Sequence, residues 1–583
     1  MTGNFGRRNW SQFSPQADVR QHRLAWPNFV VALGVLALLV FFAHVGARSM
    51  VAFRPPHITP SVDLDPRNLP HYAARSAMRM LIALVASVTF SLVYGFVAAR
   101  SRRAERVLVP LLDILPSVPV LGFLAVTVEG FIALFPGSLL GLEAASIFAI
   151  FTSQVWNITS SYFQTLRAIP NELNEVASLY RLPGWQRFTR LELPASMIGL
   201  VWNGMMSFGG GWFFLAASEA ISVLNQEYAL PGIGSYVAKA IEAEDFRALG
   251  WAIFTMILMI VLFDQILWKP LVTIADKYKM ELTAGEERHS WLVEVWRAAS
   301  LPRYVGRFVA PLAERVSRAL SAATRVPAKL HRGKPSKVVD HVYNAVLILT
   351  AVGLVVKMAH FVLSDVGLHE VWHATLLGFL TGARVLALLV ISTLVWTPIA
   401  VAIGLSPRLS RICQPIVQIL ASFPANFLFP FATLSFIKLG WTLNWGSILL
   451  MTLGAQWYIL FNVIGGAQSI PTDLREMAAS FGLRGRRCWQ KLIGPAIFGS
   501  WVTGAITASG GAWNASIVAE LVFWGKTRLD AHGLGNYIEQ ATRQGDWPRI
   551  VLGVGLMTVF VVVLNRLIWK PLYDLAENKF RLD

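Results

Sequence analysis

The chain has 583 residues, 55% of them hydrophobic and only 15% charged, with a formal net charge of +17. A water-soluble protein of this size carries about 25% charged residues, so the deficit excludes an ordinary soluble globule and points to lipid as the solvent. The excess Lys and Arg fall in short loops between apolar runs, as the positive-inside pattern requires, and not in one stripe, which argues against nucleic-acid binding.

In chain order, a polar tail (residues 1–26) holding Arg7, Arg8, Arg20 and Arg23 leads into "FVVALGVLALLVFFAHVGA" from Phe29. That run is too long for the apolar region of a signal peptide, and only a weak small-residue site, Val45-Gly46-Ala47, follows it. It reads as a first membrane helix, since about 20 apolar residues cross a bilayer core. Further spans are expected near residues 76–98, 108–136, 141–165, 195–222 and 249–269. A second set is expected near 342–364, 376–404, 413–437, 446–468, 496–522 and 549–569. The expectation is an all-α polytopic membrane protein of about twelve helices, as a first half at 27–276 and a second at 341–583.

"AARSRRAER" and "SPRLSRIC" are short and basic and belong inside, whereas "LSDVGLHEVWH" has no Lys or Arg and reads as an external loop. The Pro-rich loop from Arg48 to Arg75, with four arginines, is the exception. Both termini are then cytoplasmic. Residues 277–340 form a basic linker. "WLVEVWRAA" and "FVAPLAERVSRAL" within it read either as interfacial amphipathic helices or as parts of a plain tether. Cys413 and Cys488 show no metal-ligand spacing and read as ordinary thiols.

The halves are a repeat. "EVASLYRLPGWQRFTRLELPA" from Glu175 and "EMAASFGLRGRRCWQKLIGPA" from Glu476 are offset by 476 − 175 = 301. The same offset relates Trp156 to Trp457, Pro170 to Pro471, Trp212 to Trp513, Glu219 to Glu520, and Gly232 and Gly234 to Gly533 and Gly535. An even number of spans per half makes the repeats parallel, with a pathway between them as the economical arrangement. Pro170 and Pro471 suit a helix start, and Glu172 and Asp473 place negative charge at its positive dipole end. Glu175 and Glu476 offer fixed charges, and Ala177, Ala478 and Ala479 let another surface approach.

Glu-x-Ala, a Gly six residues after the Glu and a Pro nineteen after it resemble the EAA loop of ATP-binding-cassette importer permeases. In that family the loop is a coupling helix seated in a groove of the ATPase. Glu476, Ala478, Gly482 and Pro495 fit the pattern, as do Glu175, Ala177 and Pro194, but Arg181 stands where the family has its glycine. A side chain resists positive φ, so the first turn is expected to be reshaped or displaced. "SVPVLGFLAV", "GGGWFFLAASE" and "GGAWNASIVAE" are similar to the nitrate, sulfonate, taurine and bicarbonate group. The resemblance covers about Arg75 to Asp276 and Leu376 to Lys579.

It implies a type I importer permease with both halves fused in one chain, and coupling helices near 170–183 and 471–484. It also implies a bacterial inner-membrane location. No Gly-x-x-x-x-Gly-Lys-Ser/Thr cradle occurs, so ATP and Mg belong to two separate ATPase subunits, alike or different. The chain is then no enzyme and holds neither cofactor nor metal. A periplasmic or extracellular substrate-binding protein would meet the outer face, where "LPGIGSYVAKAIEAEDF" and "AHGLGNYIEQATRQGDW" read as short helices opened by glycines.

The pathway candidates are Gly209, Gly210, Gly211, Trp212 and Glu219, with Gly510, Gly511, Trp513, Asn514 and Glu520. The glycines either break the helix and expose amides to an anion or pack helix against helix. Glu219 lies near the outer surface, which favours a gate or a structural ion pair over substrate contact. Two other readings remain at this point. One is an ion-coupled transporter of the six-plus-six major-facilitator type. The other is an intramembrane enzyme, for which His369, Glu370 and His373 mimic part of a zinc motif without a third ligand.

Overall fold

The computed structural model describes residues 62–223, 226–278, 293–294, 311, 314–322 and 337–579. The tail at 1–26, the expected span at 27–47 and most of the linker lie outside the described residues. The first half runs α1 (Leu69–Arg100), α2 (Arg102–Ile114), α3 (Leu124–Leu134), α4 (Leu140–Ala168), α5 (Asn171–Leu179) and α6 (Leu193–Glu219). A hairpin, β1 (Ala220–Val223) with β2 (Gln226–Ala229), then leads to α7 (Ile233–Glu242) and α8 (Phe246–Phe263).

The second half opens with α9 (Lys337–Asp365), which begins inside the expected linker, followed by α10 (Gly367–Leu405), α11 (Pro407–Ser422) and α12 (Phe429–Leu439). Next come α13 (Leu443–Gln468), α14 (Thr472–Ser480) and α15 (Gly494–Ala519). The hairpin β3 (Leu521–Trp524) with β4 (Thr527–Asp530), α16 (Leu534–Gln544) and α17 (Trp547–Leu564) complete it.

From α4 and α13 onward the two halves match at the offset of 301. Before that the offset is 305, as α3 and α12 show (429 − 124 = 305). The difference arises between α3 and α4, where the second half is four residues shorter.

Two expectations are corrected. The spans near 108–136 and 413–437 are broken, and α11 meets the segment ending in α12 at 85°. Pro116 and Pro119 in one half, and Pro424 and Pro430 in the other, remove amide donors and push the preceding residue out of helical geometry. Among the described residues six helical stretches are long and apolar enough to cross a membrane, seven with the bent pair, in keeping with an all-α polytopic protein. α4 and α6 exceed the crossing length at 29 and 27 residues, but buried Gln154 and Thr159 and the glycine stretch dilute their apolarity because they face protein. Finally, "LSDVGLHEVWH" is helical except at Val366, with Glu370 in the first turn of α10.

The cores interlock. Val120, Leu121 and Leu124 pack with the core of the second half, while Phe427 and Trp524 join that of the first. Gln418 on α11 donates to Asp264 at 2.8 Å, and Ser117, in the broken segment of the first half, accepts from Asn565, the counterpart of Asp264, at 3.3 Å. Each broken segment therefore fastens onto the opposite half.

Candidate functional site

α5 and α14 sit at the same end of the bundle. Each follows a proline with extended ψ, Pro170 or Pro471, and carries Glu172 or Asp473 in its first turn. Ala177 and Ala478 are the buried residues of these helices. Glu175 and Glu476 point outward, flanked by exposed Leu179 and Tyr180 on one and Met477 and Phe481 on the other. Pro194 and Pro495 stand in the first turn of α6 and α15. The turn after α5 is not reshaped. Arg181 takes φ 47° and Gly482 φ 65°, and Leu182 and Leu483 donate to Ala177 O (3.1 Å) and Ala478 O (2.9 Å). The closing bond outweighs the strain of a left-handed side-chain residue, about 1 kcal/mol.

The bases of the two helices differ. Arg187 donates to Asn174 (2.8 Å) and Glu192 (3.0 Å), and Arg100 donates to the same Glu192 oxygen at 2.5 Å. The corresponding second-half residues are Cys488, Arg475, Ile493 and Leu405, so this ion network has no copy. Within the linker, residues 314–322 are helical, and Ser317 accepts from Trp185 at 3.2 Å.

At the opposite end, Glu219 and Glu520 are fully buried inside their own halves. Glu219 accepts from Arg79 (2.6 Å), Ser76 (2.6 Å) and the Gly234 amide (2.7 Å). Glu520 accepts from Arg384 (2.7 Å), Thr381 (2.8 Å) and the Gly535 amide (2.8 Å). These carboxylates pin the N-termini of α7 and α16 to the ends of α6 and α15, using the positive dipole end of each helix. The paired glycines have the same cause: a Cβ on Gly232 or Gly533 would lie 2.3 or 2.2 Å from the carboxylate. As pathway candidates, Glu219 and Glu520 are therefore corrected to structural ion pairs. Arg79, Arg384, Ser76 and Thr381 were missed because they repeat at 305 and not at 301. That second offset was the available signal.

The glycine stretch does not break the helix. α6 is continuous through Gly209, Gly210 and Gly211, whose added Cβ atoms would meet Ser422 at 2.6 Å, Tyr458 at 2.9 Å and Gln154 at 2.7 Å. Two of those neighbours belong to the second half, so this is close packing. Gly511 approaches Tyr458 similarly, while Gly510 has nothing within 4 Å. Trp212 packs edge-on to Phe208 and Phe263, and Trp513 stacks on Phe560. Asn514 accepts the Val120 amide across the halves at 2.9 Å. Gly209 and Trp212 border a void of about 20 Å³, and Gly209 also borders one of about 30 Å³.

The larger cavity, about 650 Å³, lies between the halves at the α7–α16 end. Its charged lining residues are Lys239 and Glu242 from the first half and Glu539 and Arg543 from the second. Burial pushes the Glu539 carboxyl above the usual range, against the pull of Arg543. No pathway candidate lines this cavity. Glu370 accepts from Tyr537 (3.2 Å) and pairs with Arg549 (3.2 Å). Among the described residues no three His, Cys, Asp or Glu side chains are grouped to hold a metal.

Residues 91–267 and 394–581 both match the family of binding-protein-dependent transport system inner membrane components. The chain belongs to that family, with two permease domains fused in one multi-pass membrane protein. It is 28% identical over 139 residues to a putative ABC transporter permease protein of Methanocaldococcus jannaschii, covering 24% of this chain and 51% of the relative. It is 26% identical over 178 residues to the bicarbonate transport system permease protein CmpB of Synechococcus elongatus (30% and 61%). The nitrate import permease protein NrtB of Leptolyngbya laminosa is 25% identical over 170 residues (29% and 57%). The matched stretches span about half to three-fifths of the length of these curated relatives. Family membership takes the place of the major-facilitator and lipid-enzyme readings.

Proposed function

We propose that the chain is the membrane permease of an ATP-driven importer, with the substrate passing between its two halves. α5 and α14 act as coupling helices for two separate ATPase subunits, which bind ATP and Mg. One observation carries this reading. Two helices with the same start, the same turn and an outward glutamate are repeated at one end of a fused permease. Their exposed apolar residues, Leu179, Tyr180, Met477 and Phe481, suit a protein groove better than water.

The α5–α14 end is then cytoplasmic, as are both termini, and the membrane is a bacterial inner membrane. The α7–α16 end faces outward and receives a substrate-binding protein. The substrate is a small anion. The bicarbonate and nitrate names of two relatives support that class, and the sequence adds the sulfonate and taurine types.

The test is to purify the tagged chain gently and ask whether an ATPase accompanies it, in wild type and in Glu175→Arg/Glu476→Arg. Capture by wild type and loss in the double variant is the expected result. No ATPase captured by wild type would count against the importer.

A further inference from the structure

We propose that the linker helix at 314–322 completes the first ATPase seat. It supplies positive charge that the second seat carries in its own loop, and two copies of one ATPase with an acidic rim fit both. The inference rests on the coupling-helix reading above and names the chemistry of the partner.

The equivalent segments differ in charge. Residues 170–194 hold three acids and three bases, for a net charge of zero, whereas 471–495 hold two acids and five bases, for +3. The gain lies mainly just after the turn. Arg484, Arg486 and Arg487 stand where the first half has Pro183, Trp185 and Gln186. All three are exposed, and their side chains make no hydrogen bond or ion pair among the described residues. They share a segment with outward Glu476 and exposed Met477 and Phe481. Arginines without an anion on such a surface fit an acidic protein partner.

In the first half the tryptophan leads to the linker. Trp185 packs on Phe188 with ring centroids 5.6 Å apart and donates from Nε1 to Ser317 at 3.2 Å. Ser317 and buried Ser321, one helical turn apart, turn toward the protein. Arg315 and Arg318 lie on either side of Ser317 and are exposed. Arg318 reaches only the carbonyl of Glu314 in its own helix, at 3.4 Å, and the Arg315 side chain has no partner among the described residues. Val316, 50% exposed, adds an apolar side chain at the same end as Leu179 and Tyr180. A helix with two guanidinium groups lacking an anion is thus anchored at the position where the second half has Arg486. An anionic lipid surface fits less well, because it would repel Glu175 and Glu476 in the same segments.

The experiment counts ATPase subunits per full-length chain after gentle co-purification at low salt, with mass spectrometry to identify them. Wild type is expected to hold two copies of one ATPase. Arg315→Glu/Arg318→Glu should leave at most one, and Arg486→Glu/Arg487→Glu should do the same through the other seat. Adding Trp185→Arg/Gln186→Arg to the linker variant installs the second-half loop and should restore the second copy. General damage to the chain would not be rescued in this way. Occupancy should also fall with added salt, since charge pairs at an exposed rim are screened. Unfolding temperatures should not change in the two charge-reversal variants, because all four arginines are exposed. Two different ATPases on wild type, two copies kept by the linker variant, or no rescue would each overturn the inference. So would loss of co-purified phosphatidylglycerol from the variants with both ATPases kept, which would assign the arginines to lipid. Each of these results leaves an ATPase on the chain and the permease reading standing, whereas no ATPase on wild type would remove both.

Discussion

Arg75 donates to Glu143 at 2.5 Å in the first half, and the equivalent positions of the second half hold Leu380 and Asn444. The acid and its cation are absent together. Arg79 and Glu219 remain as Arg384 and Glu520, and Asn444 still accepts from Arg384 at 3.0 Å. Each cluster is electrically balanced, two cations with two anions in one half and one with one in the other. Buried charge explains this, because a carboxylate or guanidinium left unpaired in a dry interior costs several kcal/mol.

The exchange predicts a double-variant cycle. Glu143→Asn alone strands Arg75 and should destabilise the chain by about 3–5 kcal/mol. Adding Arg75→Leu recreates the second-half arrangement and should recover most of that loss. Thermal unfolding of the four proteins in one detergent reads the result, and a double variant no better than the single would refute charge balance as the cause.

Gly232 and Gly250 should respond to alanine with opposite signs. At Gly232 the new methyl meets the Glu219 carboxylate at 2.3 Å, whereas at Gly250, inside α8, nothing lies within 4 Å. Overpacking costs about 1–3 kcal/mol, while Gly→Ala in an open helix position gains about 0.5–1 kcal/mol. Unfolding temperatures of the two variants give the comparison directly.

The two coupling turns allow a reciprocal exchange. Arg181→Gly removes the strain of a positive φ and should be neutral or stabilising, by up to about 1 kcal/mol. Gly482→Arg should destabilise by a similar amount. Equal and small effects in both directions would mean that φ at this turn relaxes in solution.

The first coupling helix should depend on its ion network. Glu192→Ile leaves Arg100 and Arg187 facing each other without their shared carboxylate, so it should lower the unfolding temperature and weaken ATPase capture. Replacing Arg100, Arg187 and Glu192 together by Leu, Cys and Ile, the second-half residues, should restore much of both. Failure of the triple variant to improve on Glu192→Ile would show that the second half seats its helix differently.

The membrane character, the duplication, the paired helices α5 and α14 and the short α7 and α16 were legible in the sequence because each is written locally. Apolar runs report lipid, and the Glu-x-Ala to Pro spacing defines a helix, a turn and the next helix start. Glu219 was also visible as an acid at the end of an apolar run. Its partner Arg79 was not, because it lies 140 residues away on α1, and a four-residue shift of the repeat hides its second copy. The broken spans were signalled by Pro116, Pro119 and Pro424, yet their apolarity outweighed them.

The sequence by itself therefore determined the solvent, the two-fold plan and the repeated helix–turn segments at α5 and α14, all of which follow from periodicity and spacing within short stretches of chain. Only the tertiary structure decided which partners Glu219 and Glu520 clamp, that the glycine stretch packs instead of opening, and that the cavity between the halves is lined by charges from both of them. The reason is physical: whether a charge or a small residue serves a ligand or a neighbouring helix depends on what burial brings against it, and those partners come from the other end of the chain or from the other half.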